Sequence, residues 1–486
     1  MSFEIDIPLG AQRLLQSLMV RDHTAYVVGG CVRDSLLCKE PHDWDICTSA
    51  KPEKVCEMLC EVGVRTIETG LQHGTVTACL GDGDYEITTY RVDGEYTDGR
   101  HPDKVEFVDD ISADLARRDF TINAMAYNDY SGLVDPYGGW SDLNDGIIRC
   151  AGNPDDRFTE DALRILRALR FASTYGFKIE EGTADSIHRN RWLLKRISAE
   201  RIQSELVKML CGKGILDILL EYSDVVAVII PELEPCIGFD QNNKFHIYTV
   251  YDHIAHAVSN YTGDDISVKI ALLLHDIGKP QCYTEDSNGG HFYGHAVPSR
   301  DIAEKVLNRL KFDNKTKNEV LELVLFHDAT IAATKKTVRR WLNMVGYEQL
   351  VRLMEIRRAD ILAHAPGTTD ARLSDRDKIL EIANEVIAEQ ECFQIKDLAV
   401  NGYDIMSLGV PSGPTVGSVL KHLLEQVLDE NIENEHDALM EEAEMLLRIA
   451  DEFCKIGCTS FRLTSEEIKE LIKNGKVTSD KEEPDA

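Results

Sequence analysis

Two short motifs near the start constrain this chain more than anything else in it: Gly29-Gly30-Cys31-Val32-Arg33-Asp34 and, soon after, Asp43-Trp44-Asp45. Tyr26-Val27-Val28 reads as a strand running into the glycines, and residues 32–37 can open a helix behind them. Paired glycines let backbone amides approach a phosphate closely, and a helix N-terminus attracts anions. Carboxylates one residue apart on an extended segment point the same way, so Asp43 and Asp45 are expected on a strand, offering oxygen ligands to Mg²⁺. Taken singly, a Gly-Gly is most often a turn and an Asp-x-Asp a solvated loop edge. In this order they predict metal-assisted phosphoryl or nucleotidyl transfer.

At 486 residues the chain exceeds one ordinary core, so several domains are expected. Short β-type runs at 26–28, 75–79, 85–90 and 105–108 alternate with helical stretches up to about residue 150. Beyond Asp155 the strand signal nearly vanishes, and helices are expected over 160–172, 199–210, 268–275, 301–310, 317–326, 348–363 and 415–428. The fold class is therefore α+β, a mixed head followed by a long all-helical remainder. There is no internal repeat, and the polar end at 476–486 is expected to be mobile.

Composition narrows the setting. The start, Met1-Ser2-Phe3-Glu4-Ile5-Asp6, is acidic and unlike a secretory signal, and no apolar run is long enough to span a bilayer. Thirteen cysteines are odd in number and contain no Cys-x-x-Cys pair; Cys56/Cys60 and Cys454/Cys458 sit one helical turn apart, as packing would place them. A reduced, cytoplasmic protein is expected, with no membrane partner. The net charge of −31 argues against indiscriminate nucleic-acid binding. Residues 150–213, however, hold twelve Lys/Arg against nine Asp/Glu, whereas 425–447 hold nine Asp/Glu and no Lys/Arg. An RNA substrate would lie on the basic middle.

Further along, Glu86 falls on a strand, either as a third carboxylate of the metal site or as a structural hydrogen-bond acceptor. Residues 94–102 read as a mobile loop. Arg117-Arg118-Asp119-Phe120-Thr121-Ile122-Asn123-Ala124-Met125 sets two arginines beside an apolar run. Such a pair usually marks a solvated face, but beside a metal site it can clamp triphosphate oxygens. On a helix over Glu160 to Arg170, Ala162, Ile165, Leu166 and Leu169 share an apolar arc, and Asp161, Arg164, Arg167 and Arg170 drift across the polar one. The plain explanation is an amphipathic helix with ion pairs such as Glu160–Arg164. Alternatively, Asp161 and Arg164 form a neighbouring acceptor and donor able to read a base edge.

The order of strand, Gly-Gly, helix and paired aspartates resembles the nucleotidyltransferase head of the DNA polymerase β superfamily. With Arg117-Arg118-Asp119-Phe120-Thr121-Ile122-Asn123-Ala124, Glu160-Asp161-x-x-Arg164 and Ile197-Ser198-Ala199-Glu200-Arg201-Ile202, the first 210 residues or so resemble the bacterial class II tRNA nucleotidyltransferases, the CCA-adding branch of the poly(A) polymerase family. The resemblance implies Asp43 and Asp45 as the catalytic Mg²⁺ carboxylates, Gly30 and Arg33 as nucleotide contacts, and Arg118 on the triphosphate. It further implies that Asp161 and Arg164 select the base while Arg167 and Arg170 support nucleotide or RNA phosphates. The partners would be tRNA, CTP and ATP; the 3′-hydroxyl of tRNA would attack the α-phosphate and pyrophosphate would leave. The loop at 91–103 has the full length of CCA-adding members, although an A-adding or poly(A)-polymerase relative stays open. The implied domains are a head at 1–150, a neck at 151–215, a body at 216–370, a tRNA-binding tail at 371–475 and the terminus at 476–486.

The body carries His275-Asp276-Ile277-Gly278-Lys279-Pro280 after an apolar helix, with His253 upstream and His295, His327 and Asp360 downstream. A His/Asp set spread over several helices suits a transition metal inside a bundle. This resembles an HD phosphohydrolase domain, which implies His253, His275, Asp276 and Asp360 as ligands of a second divalent metal, with His246 competing for the first position. Metal-dependent hydrolysis of nucleotides or RNA ends is the alternative function. A third is an RNA-binding protein with a decayed head, which the presence of Asp43 and Asp45 opposes. The Gly/Pro-rich run 409–417 most simply makes a turn before a helix, and the sequence leaves the oligomeric state open.

Overall fold

The computed structural model describes residues 4–68, 70–94, 104–244, 246–287, 289–367 and 369–455. The loop expected at 94–102 (beyond residue 94), Cys458 and the polar end at 476–486 lie outside them. Two units form, one from 1–325 with 362–364 and the other from 326–361 with 365–486. The finer boundaries implied by the sequence remain a proposal.

The first unit begins with a seven-stranded sheet whose members are β1 (Ala25–Val28), β2 (Ile46–Thr48), β3 (Arg65–Ile67), β4 (Thr75–Leu80), β5 (Gly83–Thr89), β8 (Ala126–Asn128) and β9 (Gly132–Val134). A separate hairpin, β6 (Arg91–Asp93) and β7 (Val105–Phe107), stands beside it in sequence. The sheet order is β3-β4-β5-β2-β1-β8-β9. Central β1 is antiparallel to both β2 and β8, and β2 runs parallel to β5. Val27 and Val28 are buried, as β-branched residues of a central strand should be. Helices α1 (Leu9–Met19) and α3 (Pro52–Glu61) pack on the sheet; α2 (Gly30–Leu36), α4 (Ile111–Ala116) and α5 (Gly139–Asp145) complete the head. The expected strands all form, within a residue or two of their bounds. One placement is corrected: β2 starts at Ile46, so Asp43 and Asp45 occupy the irregular lead-in to the strand, which Val28 N nonetheless joins to the sheet through Asp45 O at 3.0 Å.

The helical part follows as α6 (Pro154–Glu160), α7 (Leu163–Tyr175), α8 (Glu181–Asn190), α9 (Ala199–Leu210), α10 (Ile215–Glu221), α11 (Ser223–Ile229), α12 (Val250–Asn260), α13 (Ile266–Leu274), α14 (Ala296–Arg309) and α15 (Asn314–Phe326). Helix α7 packs on α9 and α10, and α12 on α13, whose residues from Ser267 to Leu274 are all buried. A second correction concerns 160–172, which is two helices. Asn153 caps the N-terminus of α6 with Pro154 at the first position. Asp161 then turns extended (φ −143°, ψ 104°), and its side chain accepts Leu163 N at 3.0 Å. Aspartate satisfies a new helix start better than it fits a helix interior.

The second unit is helical, with α16 (Lys335–Val345), α17 (Tyr347–Leu362), α18 (Asp370–Ala388), α19 (Gly402–Ser407), α20 (Pro414–Leu428) and α21 (His436–Lys455). Its core gathers Val400, Ile405, Leu423 and Leu439. No helix among the described residues is long and apolar enough to cross a membrane.

Candidate active site

The Gly-Gly turn is shaped by its neighbours. Gly29 adopts φ +80°, and a Cβ there would come within 2.7 Å of Arg118 Nη1. The positive φ favours glycine, and the missing side chain leaves room for the close approach of a guanidinium. Gly30 opens α2, as expected. Arg118 lies at the C-terminal end of α4, and its Nε is buried without a hydrogen-bond partner among the described residues. Its neighbour Arg117 is bound firmly, Nε and Nη2 donating to Asp114 Oδ1 at 3.0 and 2.8 Å. Asp114 is fully buried and meets Arg118 only loosely, Oδ2 to Nη2 at 3.7 Å. One carboxylate therefore sorts the adjacent arginines into an anchored one and one with donor capacity to spare.

Asp43 is exposed and Asp45 half-buried. Burial raises the Asp45 carboxyl; Arg118 opposes this, and the Glu86 and Asp43 carboxylates reinforce it. Three carboxylates therefore share one field, with one guanidinium insufficient to offset them. An oxygen-only donor set with surplus negative charge fits a hard divalent cation such as Mg²⁺. Glu86 is close enough for its charge to bear on Asp45, which its strand position alone left undecided.

A cavity of about 290 Å³ adjoins Arg118 and is lined by Arg117, Arg118, Asp119, Asp161, Leu163, Arg164, Arg167 and Arg201. Residues up to 84 positions apart thus converge, with five guanidinium groups against two carboxylates. Such an excess suits a polyanion. Asp161 Oδ2 is held by Arg201 Nη2 at 2.7 Å. Arg164 spans the helix break: Nη1 meets Glu160 Oε2 at 2.6 Å and Nη2 donates to Arg117 O at 3.1 Å. The anticipated Glu160–Arg164 ion pair therefore exists, across two helices. Arg167 grips Asp119 through Nε and Nη2 at 2.8 and 2.5 Å. Burial alone would raise the Asp119 carboxyl, but Arg167 and Asn123 hold it well below the usual carboxylate range.

Two residues expected on the nucleotide are outside the lining of this cavity. Arg33 is buried, with Nε and Nη2 on Asp34 at 2.9 and 2.8 Å and Nη1 on Asn123 Oδ1 at 2.5 Å. Its guanidinium stands 5.0 Å from the Phe171 ring centroid and 5.2 Å from that of Tyr175, so it braces α2 against α7. Arg170 pairs with Glu205 at 2.5 Å and covers Phe171 at 3.9 Å, outside the cavity lining. Arg201 and Asp114 were missed by the sequence reading. An aspartate three residues before a double arginine was the available signal for Asp114.

In the helical part of the first unit, His253 on α12, His275 at the end of α13, Asp276 and His295 before α14 converge. Asp276 Oδ2 lies 3.4 Å from His253 Nε2 and 3.3 Å from His275 Nε2, and Oδ1 lies 3.1 Å from His295 Nε2. Ligand atoms of His253, His275 and Asp276 all fall within 4.8 Å of one another. Burial opposes ionisation of Asp276, yet His275 and Lys279, whose Nζ is 2.7 Å away, hold its carboxyl well below the ordinary value. His246 stands one ring back, 5.1 Å from His253. Asp360, the fourth residue of the implied set, belongs to α17 of the second unit, as His327 belongs to that unit.

Comparison with known proteins bears on this arrangement. Residues 25–149 match the poly A polymerase head domain, 176–237 the probable RNA and SrmB-binding site of polymerase A, and 296–443 the putative tRNA nucleotidyltransferase domain 2. A CCA-adding enzyme from Lactobacillus helveticus is 33% identical over 435 residues, covering 89% of this chain and 96% of that protein. The chain belongs to the CCA-adding enzyme family. Another member, from Enterococcus faecalis, is 47% identical over 202 residues, 42% of this chain and 49% of that one. The CCA-adding enzyme of Bacillus stearothermophilus, solved in complex with CTP, has 27% identity and a TM-score of 0.69, covering 91% of this chain and 98% of that one. The fold is also that of the Thermotoga maritima CCA-adding enzyme solved with tRNA, at TM-score 0.56 and 22% identity over 90% and 94% of the two chains. The α+β architecture, a nucleotidyltransferase head followed by a helical body, is accordingly that of CCA-adding enzymes.

Proposed function

We propose that this chain adds CCA to tRNA 3′ ends from CTP and ATP, without a nucleic-acid template. The observation that carries this reading is the position of Arg118, which touches the Gly-Gly turn, acts on Asp45 and lines the cavity that Asp161 and Arg164 also line. Asp43 and Asp45 would hold Mg²⁺, which when bound supplies positive charge to the nucleophile and the leaving oxygen. Arg118, with its Nε available, takes the triphosphate. The 3′-oxygen of tRNA forms a bond to the α-phosphorus while the bond to pyrophosphate breaks.

Base choice falls to Asp161 and Arg164. Asp161 exchanges Arg201 for the exocyclic amine that cytosine and adenine share, and Arg164 donates to a ring nitrogen or carbonyl. Guanine and uracil present a carbonyl where that amine stands, leaving the carboxylate facing an acceptor. Complete CCA addition, in preference to A addition alone, rests on the length of the 91–103 segment. A cytoplasmic setting belongs to the same proposal. To test it, tRNA ending at the position before CCA, after one C and after two C is offered each nucleotide separately. The expected products are two C, one C and one A; an open-ended A tail would replace this reading with a poly(A) polymerase.

A second activity has its own observation, the buried convergence of His253, His275 and Asp276. Imidazole nitrogens with a carboxylate suit a divalent transition metal. The reading is an HD-type phosphohydrolase acting on nucleotides or RNA ends. Lys279 beside Asp276 adds a cation for a phosphate. Release of phosphate that requires added transition metal and is lost in H275A, with incorporation retained, is the expected outcome.

A further inference from the structure

Beside the buried His/Asp centre stand two histidines without a part in the chemistry described so far, His246 and His364, both in the first unit. The His246 ring lies 4.5 Å from that of His364 and 5.1 Å from that of His253, and His364 lies 5.1 Å from His253, centroid to centroid. Three imidazoles therefore form one continuous wall. Gln241, 1% exposed, fastens the segment that carries His246: its Nε2 donates to Tyr248 O at 3.2 Å and its Oε1 accepts Lys279 Nζ at 2.9 Å. On the other side His253 Nδ1 lies 3.3 Å from Ala363 O, next to His364.

Exposure separates the members of this cluster. His253 and His275 are 0% exposed and Asp276 1%, whereas His246 and His364 are only half-buried. The two outer rings are thus the part of the wall that solvent reaches. His246 Nδ1 is nevertheless buried and has no hydrogen-bond partner among the described residues. A buried polar atom left unmet calls for a partner from outside the chain. A metal ion held by the neighbouring set does not supply it, because the groups near enough to share an ion take in His253, His275 and Asp276 but neither His246 nor His364. The charge of Lys279 bears on His246 as well. Imidazole N–H groups beside an ammonium suit an oxyanion.

We propose that His246 and His364 receive the terminal phosphate of a phosphomonoester and hold it against the centre of His253, His275 and Asp276. A terminal phosphate has three non-bridging oxygens, enough to meet Lys279, the imidazole pair and the centre together; a phosphodiester has two. In the reaction water adds to phosphorus and the ester P–O bond breaks. The electron pair stays on the leaving oxygen, which ends with the proton that water gives up, so an alcohol and inorganic phosphate result. The inference rests on the second reading above, that this centre hydrolyses phosphate esters, and adds to it a substrate class and two binding residues.

The test uses the full chain loaded with Mn²⁺, with saturating CTP to fill the nucleotide cavity, as wild type, H246A, H364A and H246Q. Binding of inorganic phosphate and of Mn²⁺ is measured by calorimetry, and hydrolysis with p-nitrophenyl phosphate and bis(p-nitrophenyl) phosphate. In each alanine variant the phosphate dissociation constant and the monoester KM should rise about tenfold, the loss of one hydrogen bond to a charged group. H246Q, which keeps an N–H, should recover part of this. Mn²⁺ affinity should hold in all three, and wild type should prefer the monoester by at least about a hundredfold. Wild-type phosphate affinity in both alanine variants, Mn²⁺ affinity lost in either, or a preference for the diester would each overturn the proposal. Failure of the hydrolytic reading looks different: phosphate would bind to wild type and more weakly to the variants, keeping the contact, while neither ester is cleaved.

Discussion

Arg118 owes its usefulness to the residues that do not hold it. Asp114 binds Arg117 twice through one oxygen and leaves Arg118 at 3.7 Å, so the second arginine stays near the Gly-Gly turn with Nε unspent. Gly29→Ala should therefore weaken triphosphate binding, since its methyl group would displace the guanidinium 2.7 Å away. A CTP KM raised at least about tenfold, with a melting temperature within a few degrees of wild type, is the expected pair of readings. Base choice is separable from this. Asp161→Ala should narrow the ratio of CTP to UTP efficiency by about tenfold while triphosphate affinity holds, and equal losses for all four nucleotides would remove Asp161 from base selection. Asp119 offers a pH test. Its folded carboxyl is depressed by Arg167 and Asn123, so its contribution to stability is complete above the unfolded value near 3.8 and fades as pH falls through the folded one. Asp119→Asn should cost about 3 kcal/mol at neutral pH, and that cost should shrink steadily as pH falls below the unfolded value, read from thermal melts across the acid range.

Between residues and fold, the break at Asp161–Ala162 is the decisive element. A continuous helix over 160–172 would leave Asp161 as one more polar-face residue; the break sets it at a cavity edge, within reach of Arg201 on α9. The signs were in the chain: Asn153-Pro154 starts a helix, and an aspartate seven residues on suits the next cap. Apolar periodicity ran across both helices and concealed the boundary. The strands were legible because alternation and Gly-rich turns are local, whereas Asp43 and Asp45 precede β2 because ladder pairing with β1 and β5 begins only at Ile46. Motif residues were legible as a set, but their partners were not. Whether Arg33 meets a ligand or Asn123, and whether Arg170 meets phosphate or Glu205, depends on contacts 90 and 35 residues distant. At this scale Glu205→Ala should loosen α7 from α9 by about 3 kcal/mol, because it strands the half-buried Arg170; denaturant unfolding would show it.

For the whole molecule, acidity and RNA chemistry are reconciled by placement. The nucleotide cavity and the basic run at 188–196 carry the positive charge, both within residues 117–201, while the run of nine acids at 425–447 lies in the second unit. The chain joins a head that assembles carboxylates for nucleotidyl transfer to a helical part whose buried His253, His275 and Asp276 have the makeup of a separate metal centre. If these are two chemistries, Asp43 and Asp45 matter to one and His275 to the other. The most direct measurement is incorporation of labelled CTP and ATP, with Mg²⁺, into tRNA lacking its CCA end by the wild-type chain and by D43A and D45A. Wild type should complete CCA and stop, and each variant should lose at least about a thousandfold in rate while still binding tRNA. Undiminished incorporation in either aspartate variant would contradict the assignment of that pair as the centre of transfer.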